Sequence, residues 1–380
     1  MSVPMTLTVL MMDQLRWLIS EGYQVTVVSS PGPQLDGLRR DLPIRVVEVD
    51  MFRGVSLVRD AISILRLMCF FIRNRFDLVH AHTPKGGLVG MLAAAGSLHR
   101  RRFYTLHGLR YETAIGKRKL LLRSVERLTC RLANRIFCVS ESVRSVAIAD
   151  NLARSNKLQV LCNGSFNGIN VNRYRNGRGL VDAEKQRRDL GLPHGAVVAG
   201  FVGRLTRDKG IADLIDACRS AREAGLPLHV VVLGEWDESD PVPLDVRGEC
   251  EAMDWFHLQG NVASPEHWYP IFDFLVLPSY REGFPTVVLE SAAAGIPAIG
   301  YDTTGIRDAI VHDQTGLLVP LHDRKAFAKA ICELGSDQPR RVLYGNNARD
   351  RVRSDFLPAR IWSELDGAYQ SALPVRAEVD

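Results

Sequence analysis

A chain of 380 residues, 46% hydrophobic and 24% charged, can fill two separate cores, and no run reaches the ~18 apolar residues of a membrane span, since Arg66 breaks the best candidate at 61–72. Seven scattered cysteines without a C-x-x-C pair exclude a zinc site of that type and a disulfide framework and suggest a reducing, cytoplasmic setting; the N-terminus does not read as a signal peptide. The net charge of +5 is uneven: residues 1–150 carry 22 Lys and Arg against 12 Asp and Glu, and the remainder 26 against 31, so the basic half is expected to meet an anionic partner.

Residues 5–20 predict a helix closed by Gly22, with Leu7, Leu10, Met11, Leu15, Leu18 and Ile19 on its apolar side. A strand at 24–29 ends at Ser30-Pro31-Gly32. Strands and helices then alternate: strand 45–49, helix 56–75, strand 78–81, helix 87–98, strand 102–106, helix 117–133, strand 136–139 and strand 158–162. This is the βα rhythm of a parallel sheet covered on both faces. Residues 163–179 are rich in Gly, Asn and Ser without an apolar period and read as an interdomain segment, which sets a first domain at 1–170.

The alternation restarts with strand 197–202, helix 211–224, strand 228–233, helix 244–253, strand 256–258, helix 265–271, strand 272–277, helix 285–294 and strands 298–299 and 316–319. Helices beginning at Arg324 and Arg340 complete a second domain at 171–357. A last helix at 358–372, within 358–380, is expected to cross back to the first domain. The fold class is α/β: two doubly wound, Rossmann-like domains facing each other across a cleft, with ligands outside the carboxyl ends of the strands.

Residues 278–290, Pro-Ser-Tyr-Arg-Glu-Gly-Phe-Pro-Thr-Val-Val-Leu-Glu, join a buried strand through a tight loop to a helix start at Pro285 and Thr286. Such a junction presents unpaired N–H groups and a partial positive charge, and Gly283, before Phe284, lets an anion approach closely. Glu282 and Glu290 would repel a phosphate, so hydroxyls are their natural partners; a sugar and a ribose would satisfy both. Taken alone, the same residues also fit an ordinary strand–helix connection.

Gly203-Arg204-Leu205-Thr206-Arg207-Asp208-Lys209-Gly210 lies at the mouth of the strand at 197–202. Arg204 offers a planar fork for phosphate oxygens and Lys209 a movable charge, although two loop cations are also a common solvated surface. His107 closes the strand at 102–106. His80 and His82 alternate on another strand, but no third ligand matches them for a metal. Lys85 and Gly86 open a helix and fit a phosphate. The cations Arg100, Arg101, Arg102, Lys117, Arg118, Lys119, Arg123, Arg127, Arg131 and Arg135 suit an anionic leaflet, with the helix from Lys117 and its Leu120, Leu121, Leu122 and Leu128 as an interfacial element; core packing explains those leucines equally well. Nucleic acid is disfavoured, because aromatic interleaving and recognised motifs are absent.

Glu282 and Glu290 within PSYREGFPTVVLESAAAGIPAIG resemble the Glu-x7-Glu signature of retaining GT-B glycosyltransferases of family four. Gly203-Arg204-Leu205 with Lys209-Gly210 is similar to that family's pyrophosphate-holding element, and Thr105-Leu106-His107 to its T-x-H segment. HTPKGGL, LHGLRYE, VSESVR and NGSFNGIN resemble the subgroup that builds bacterial capsule, exopolysaccharide or O-antigen units on a polyprenyl diphosphate lipid. The resemblance implies a metal-independent and cofactor-free transfer from a nucleotide sugar, a UDP-sugar before other donors, to a lipid-linked saccharide at the cytoplasmic face of the membrane. It implies donor contacts from Gly203, Arg204, Lys209, Glu282, Gly283, Phe284, Pro285, Thr286 and Glu290, with catalysis served by His107 and Glu282. It also implies a first strand, mid-sheet in the first domain, that this sequence lacks before Ser2. A nucleotide-sugar epimerase of the same fold and a non-catalytic sugar-nucleotide binder are the alternative readings.

Overall fold

The computed structural model describes every residue except Val3, Arg53, Val55, 175–178 and 374–380. The chain divides into two compact units, Met1–Asn167 with Pro358–Asp380, and Gly168–Leu357. In the first, α1 (Pro4–Thr6) runs through a π-helical stretch (Leu7–Met11) into α2 (Met12–Ser20). Leu7, Met11, Leu15 and Leu18 are buried, but Leu10 is exposed, because the wider π turn shifts the helical register. β1 (Thr26–Ser29) pairs in parallel with β2 (Arg45–Glu48), joined by α3 (Gln34–Asp41). After α4 (Leu57–Arg73), the strands β3 (Val79–His82), β4 (Arg102–Leu106), β5 (Arg135–Cys138) and β6 (Leu158–Val160) form a second parallel sheet in that order. Its crossovers are α5 (Pro84–Gly96), α6 (Gly116–Leu132) and α7 (Glu141–Ala149). Among the described residues no strand joins the two sheets; the Met1 amine donates to the Val28 carbonyl of β1 at 2.8 Å.

The second unit contains α8 (Gly179–Asp189), β7 (Val197–Val202), α9 (Ile211–Glu223), β8 (Leu228–Leu233), α10 (Leu244–Ala252) and β9 (Phe256–Leu258). It continues with β10 (Phe274–Leu277), α11 (Thr286–Ala294), β11 (Ala298–Tyr301), α12 (Ile306–Ala309), β12 (Gly316–Val319), α13 (Arg324–Ser336) and α14 (Gln338–Asp355). The sheet is parallel, ordered β12-β11-β10-β7-β8-β9. Its pleat sends Ala199, Phe201, Val230, Val232, Phe274 and Val276 into one core and Val198, Val231, Leu233, Leu275 and Leu277 into the other. Burial on both faces explains why these strands read as unbroken apolar runs. α15 (Pro358–Gln370) belongs to the first unit, where Ile361, Leu365 and Tyr369 pack with Leu18, Phe103 and Phe137.

Some expected elements differ. Residues 265–271 form two 3-10 turns, Pro265–His267 and Tyr269–Ile271, not a helix; Pro265 and Pro270 each remove an N–H donor, and the turns use the shorter i to i+3 bonds. α5 begins at Pro84, so Lys85 and Gly86 lie inside its first turn. Pro285 is the residue before α11 and not its first helical position. The interdomain segment contains a 3-10 turn, Val171–Tyr174, and its residues 175–178 fall outside the described part. The helices α3, α7, α8 and α12 have no counterpart among the expected elements.

The strand order of the second unit fixes its crevice. From β7 the chain moves outward through β8 and β9, returns to β10 on the other side of β7, and moves outward again. The connections leaving β7 and β10 therefore diverge, and the carboxyl ends of these neighbours flank a topological switch point.

Candidate functional site

Two loops meet at that switch point, residues 203–210 after β7 and 278–285 after β10. They are tied along their length: Tyr280 N–H donates to the Asp208 carbonyl at 2.9 Å, Arg281 pairs with the Asp208 carboxylate at 2.7 Å, and Lys209 Nζ lies 2.5 Å from Glu282 Oε1. Lys209 and Glu282 are both largely buried. The turn that presents Lys209 ends at Gly210, whose φ of +70° is left-handed; a Cβ there would stand 2.1 Å from the Pro278 carbonyl oxygen. Only glycine lets the loops approach this closely. Glu282 N–H also donates to the Thr304 carbonyl at 3.1 Å, and the Gly283 carbonyl lies against Gly305.

Phe284 packs its ring 5.3 Å from that of Phe356, and Pro285 is buried, so the loop enters α11 at a fixed point. Pro285, the residue at the N-cap of α11, makes no side-chain cap, and Thr286 is the first helical residue. Residues 282–285 thus run from the Lys209–Glu282 ion pair to the start of α11, whose first N–H groups favour an anion, and an anion that reaches Lys209 must displace Glu282.

Glu290 lies in the second turn of α11 and takes a separate partner. Tyr269 Oη donates to Glu290 Oε2 at 2.6 Å, with the Tyr174 ring 5.7 Å from that of Tyr269. Burial raises the Glu290 carboxyl above its usual range, against the pull of the Tyr269 hydrogen bond. The two glutamates are therefore not a pair: one faces a cation and the other a phenol.

Arg204 points elsewhere. It is exposed and bonded to Asp237, whose carboxyl is held down at about 2, chiefly by hydrogen bonds from Ser239 and then by Arg204 itself. Gly203, with φ of +148°, donates to the Leu233 carbonyl at 2.9 Å, and a Cβ on Gly234 would fall 1.8 Å from the Gly203 carbonyl oxygen. Sequence reasoning found neither Asp237 nor Tyr269. Nothing in their surroundings marks them, because their role comes from partners distant in the chain.

In the first unit His107 follows β4, its Nε2 3.3 Å from His82 Nδ1 and its ring 4.7 Å from Phe166. Burial lowers His107 to about 4 and His80 to about 3, and pushes His82 well down, so the imidazoles are neutral at neutral pH. Both His80 nitrogens are engaged, by Tyr369 Oη at 2.5 Å and Thr105 Oγ1 at 2.8 Å. Lys85 makes hydrogen bonds of 2.8 and 2.6 Å to the Asp60 carboxylate, and Gly86 backs onto Met1 and Ser2. The Lys85 charge is thus already compensated inside the unit.

The expected cationic surface is also partly spent. Arg101 binds the Ala372 carbonyl, Arg102 that of Leu132 at 2.6 Å, Arg123 and Arg127 that of Asp150 at 2.9 and 2.8 Å, and Arg135 that of Ala368 at 3.0 Å. Lys117, Arg118, Lys119 and Arg131 remain exposed on α6, beside Leu120, Leu121 and Leu128, while Leu122 is drawn into the core.

Residues 182–351 match the family described as glycosyl transferases group 1, and residues 7–165 match glycosyltransferase family 4. The capsular polysaccharide biosynthesis glycosyltransferase CapM of Staphylococcus aureus is 32% identical over 372 residues, covering 96% of this chain and 94% of that protein. The UDP-Gal:alpha-D-GlcNAc-diphosphoundecaprenol alpha-1,3-galactosyltransferase of Escherichia coli is 23% identical over 350 residues, 91% of this chain and 88% of that protein. Anabaena Alr3699/HepE, solved with UDP, shares the fold at a TM-score of 0.76 and 20% identity, covering 94% of this chain and 96% of that one.

Proposed function

The chain belongs to the glycosyltransferases of group 1 and family 4, and we propose that it moves a sugar from a UDP-sugar to a hydroxyl of a polyprenyl-diphosphate-linked saccharide, with retention at the anomeric carbon. Its setting is capsular or related polysaccharide biosynthesis. The carrying observation is the Lys209–Glu282 contact at the switch point, next to the start of α11. Support for the donor and acceptor comes from the Escherichia coli relative, whose name specifies UDP-Gal and a diphosphoundecaprenol acceptor, and from HepE, solved with UDP.

In this reading Lys209 and the amino end of α11 take the diphosphate, which Gly203 and Gly283 allow to approach, and Arg204 joins them by exchanging Asp237 for a phosphate oxygen. These groups stabilise charge as it develops on the leaving oxygen, without a metal ion. Phe284, Pro285 and Thr286 hold the loop against the donor. Glu282 turns from Lys209 toward the sugar hydroxyls, and Glu290 accepts from the ribose. His107, as a neutral imidazole, gives the sugar a hydrogen bond. The bond from the anomeric carbon to the diphosphate breaks as the acceptor oxygen adds on the same face, and the acceptor proton passes to the departing phosphate. Lys85 and Gly86 are proposed on the acceptor side, with Lys85 exchanging Asp60 for a phosphate. A lipid-borne acceptor brings the enzyme to the cytoplasmic face of a membrane; no described helix is long and apolar enough to cross one.

The test supplies UDP-glucose, UDP-galactose and UDP-N-acetylglucosamine with a short polyprenyl diphosphate saccharide and reads the product by NMR. An axial donor giving an axial linkage, only when acceptor is present, is the expected result. Inversion, or conversion of the nucleotide sugar without acceptor, would overturn it.

A further inference from the structure

α4 is apolar on two opposite faces, and only one is consumed by the fold. Leu67 and Phe71, with partly buried Ile64 and Met68, enter a core with Val49, Val89 and Ala93. The other face carries Val58, Ile62, Leu65, Cys69 and Ile72, all exposed, with Val58 at 72% and Leu65 at 55%. Their 4-3-4-3 spacing is that of a single stripe along a helix. None of the described residues covers it.

Charge on this face has one sign. Arg59, Arg66 and Arg73 recur every seven residues and are exposed, forming a rail turned by roughly 80° from the stripe. The only acid of α4, Asp60, is buried against Lys85. A second copy of the helix would bring three more arginines to the contact and no acid to answer them. An apolar strip flanked by cations is instead complementary to the headgroup layer of an anionic bilayer.

We infer that α4 is the membrane-docking element, lying in the plane of an anionic lipid surface with Val58, Ile62, Leu65 and Ile72 in the acyl boundary and the three arginines at the phosphates. The inference rests on the lipid-borne acceptor of the proposed function. It assigns docking to α4 and not to α6, whose Leu120 and Leu121 are exposed but lack a continuous stripe.

The experiment is sedimentation of the full chain with vesicles of phosphatidylglycerol and phosphatidylcholine, and with phosphatidylcholine alone. The chain should bind the first and not the second, and Ile62→Glu with Leu65→Glu should reduce the bound fraction by roughly tenfold or more. Leu120→Glu with Leu121→Glu on α6 should change it less than about twofold. Unchanged UDP affinity verifies folding. If the α4 glutamates prevent folding, Arg59→Gln with Arg66→Gln and Arg73→Gln replaces them, with the same loss expected. Retained binding in the α4 variants, loss in the α6 variant alone, or a dimer that the α4 variants dissociate would overturn the assignment. Transfer to a water-soluble acceptor analogue separates the two readings: its presence without vesicle binding sinks docking alone, and its absence together with vesicle binding sinks the proposed acceptor chemistry alone.

Discussion

Lys209 Nζ and Glu282 Oε1 stand 2.5 Å apart, so the cation proposed for the diphosphate is held by the carboxylate proposed for the sugar. A diphosphate arriving at Lys209 competes with Glu282, and a hydroxyl arriving at Glu282 relieves that competition. Removing the carboxylate charge separates these effects. Glu282→Gln should bind UDP about 3- to 10-fold more tightly, in keeping with ~1 kcal/mol for a partly exposed ion pair. Turnover should fall by roughly 10- to 100-fold, since a charged acceptor to the sugar is lost. Calorimetry and an initial-rate assay read the two; weaker UDP binding in the variant contradicts the exchange.

The close approach of the two site loops depends on Gly210. Its left-handed φ and the Pro278 carbonyl 2.1 Å from any Cβ mean that Gly210→Ala must displace one loop. The expected loss is roughly 2–4 kcal/mol, with UDP binding weakened in what remains folded. Gly225, at φ of +95° with nothing within 4 Å, isolates the backbone effect alone, and Gly225→Ala should cost ~1 kcal/mol. Denaturant unfolding compares the two; equal losses would show that the contact with Pro278 carries no weight.

In the first unit Glu126 is buried and accepts from Tyr104 Oη at 2.7 Å, and burial raises its carboxyl to about 7 from 4.5. Between these values the folded chain holds a proton that the unfolded chain releases, so this group's contribution to stability is full below pH 4.5 and falls as pH rises toward 7. The decline is ~3 kcal/mol across that window. His107, lowered to about 4, acts in the opposite sense: its share is lost as pH falls from 6.5 toward 4. Glu126→Gln, which can still accept from Tyr104, should therefore gain on the parent chain as pH rises from 4.5 to 7. A difference that stays flat with pH would contradict the raised carboxyl.

Much of this is readable from the chain. The strands at 197–202 and 228–233 announce themselves because a doubly covered parallel sheet needs apolar residues at every position. Glu282, Lys209 and Gly210 stand out because each charged residue sits beside a glycine just past a strand end, where close backbone approach leaves room for an anion. What stays hidden depends on distance in the chain. Tyr269 reaches Glu290 from a 3-10 turn too short to show a period, and Asp237 meets Arg204 across 33 residues. The cations of 101–135 show their charge but not the backbone carbonyls that absorb it. The exposed stripe on α4 is masked because a helix apolar on two faces looks like one that is simply well buried.

The most direct measurement is calorimetric titration of the full chain and of Glu290→Gln with UDP, with GDP and ADP as controls. The substitution removes the charge without disrupting the site, since the amide oxygen it introduces keeps the Tyr269 hydrogen bond. Saturable and selective UDP binding, weakened by about tenfold in Glu290→Gln and by more in Lys209→Ala, is the predicted result. A folded chain that binds no nucleoside diphosphate, or a Glu290→Gln variant with the parent's affinity, would contradict the assignment of the switch-point loops as the donor site.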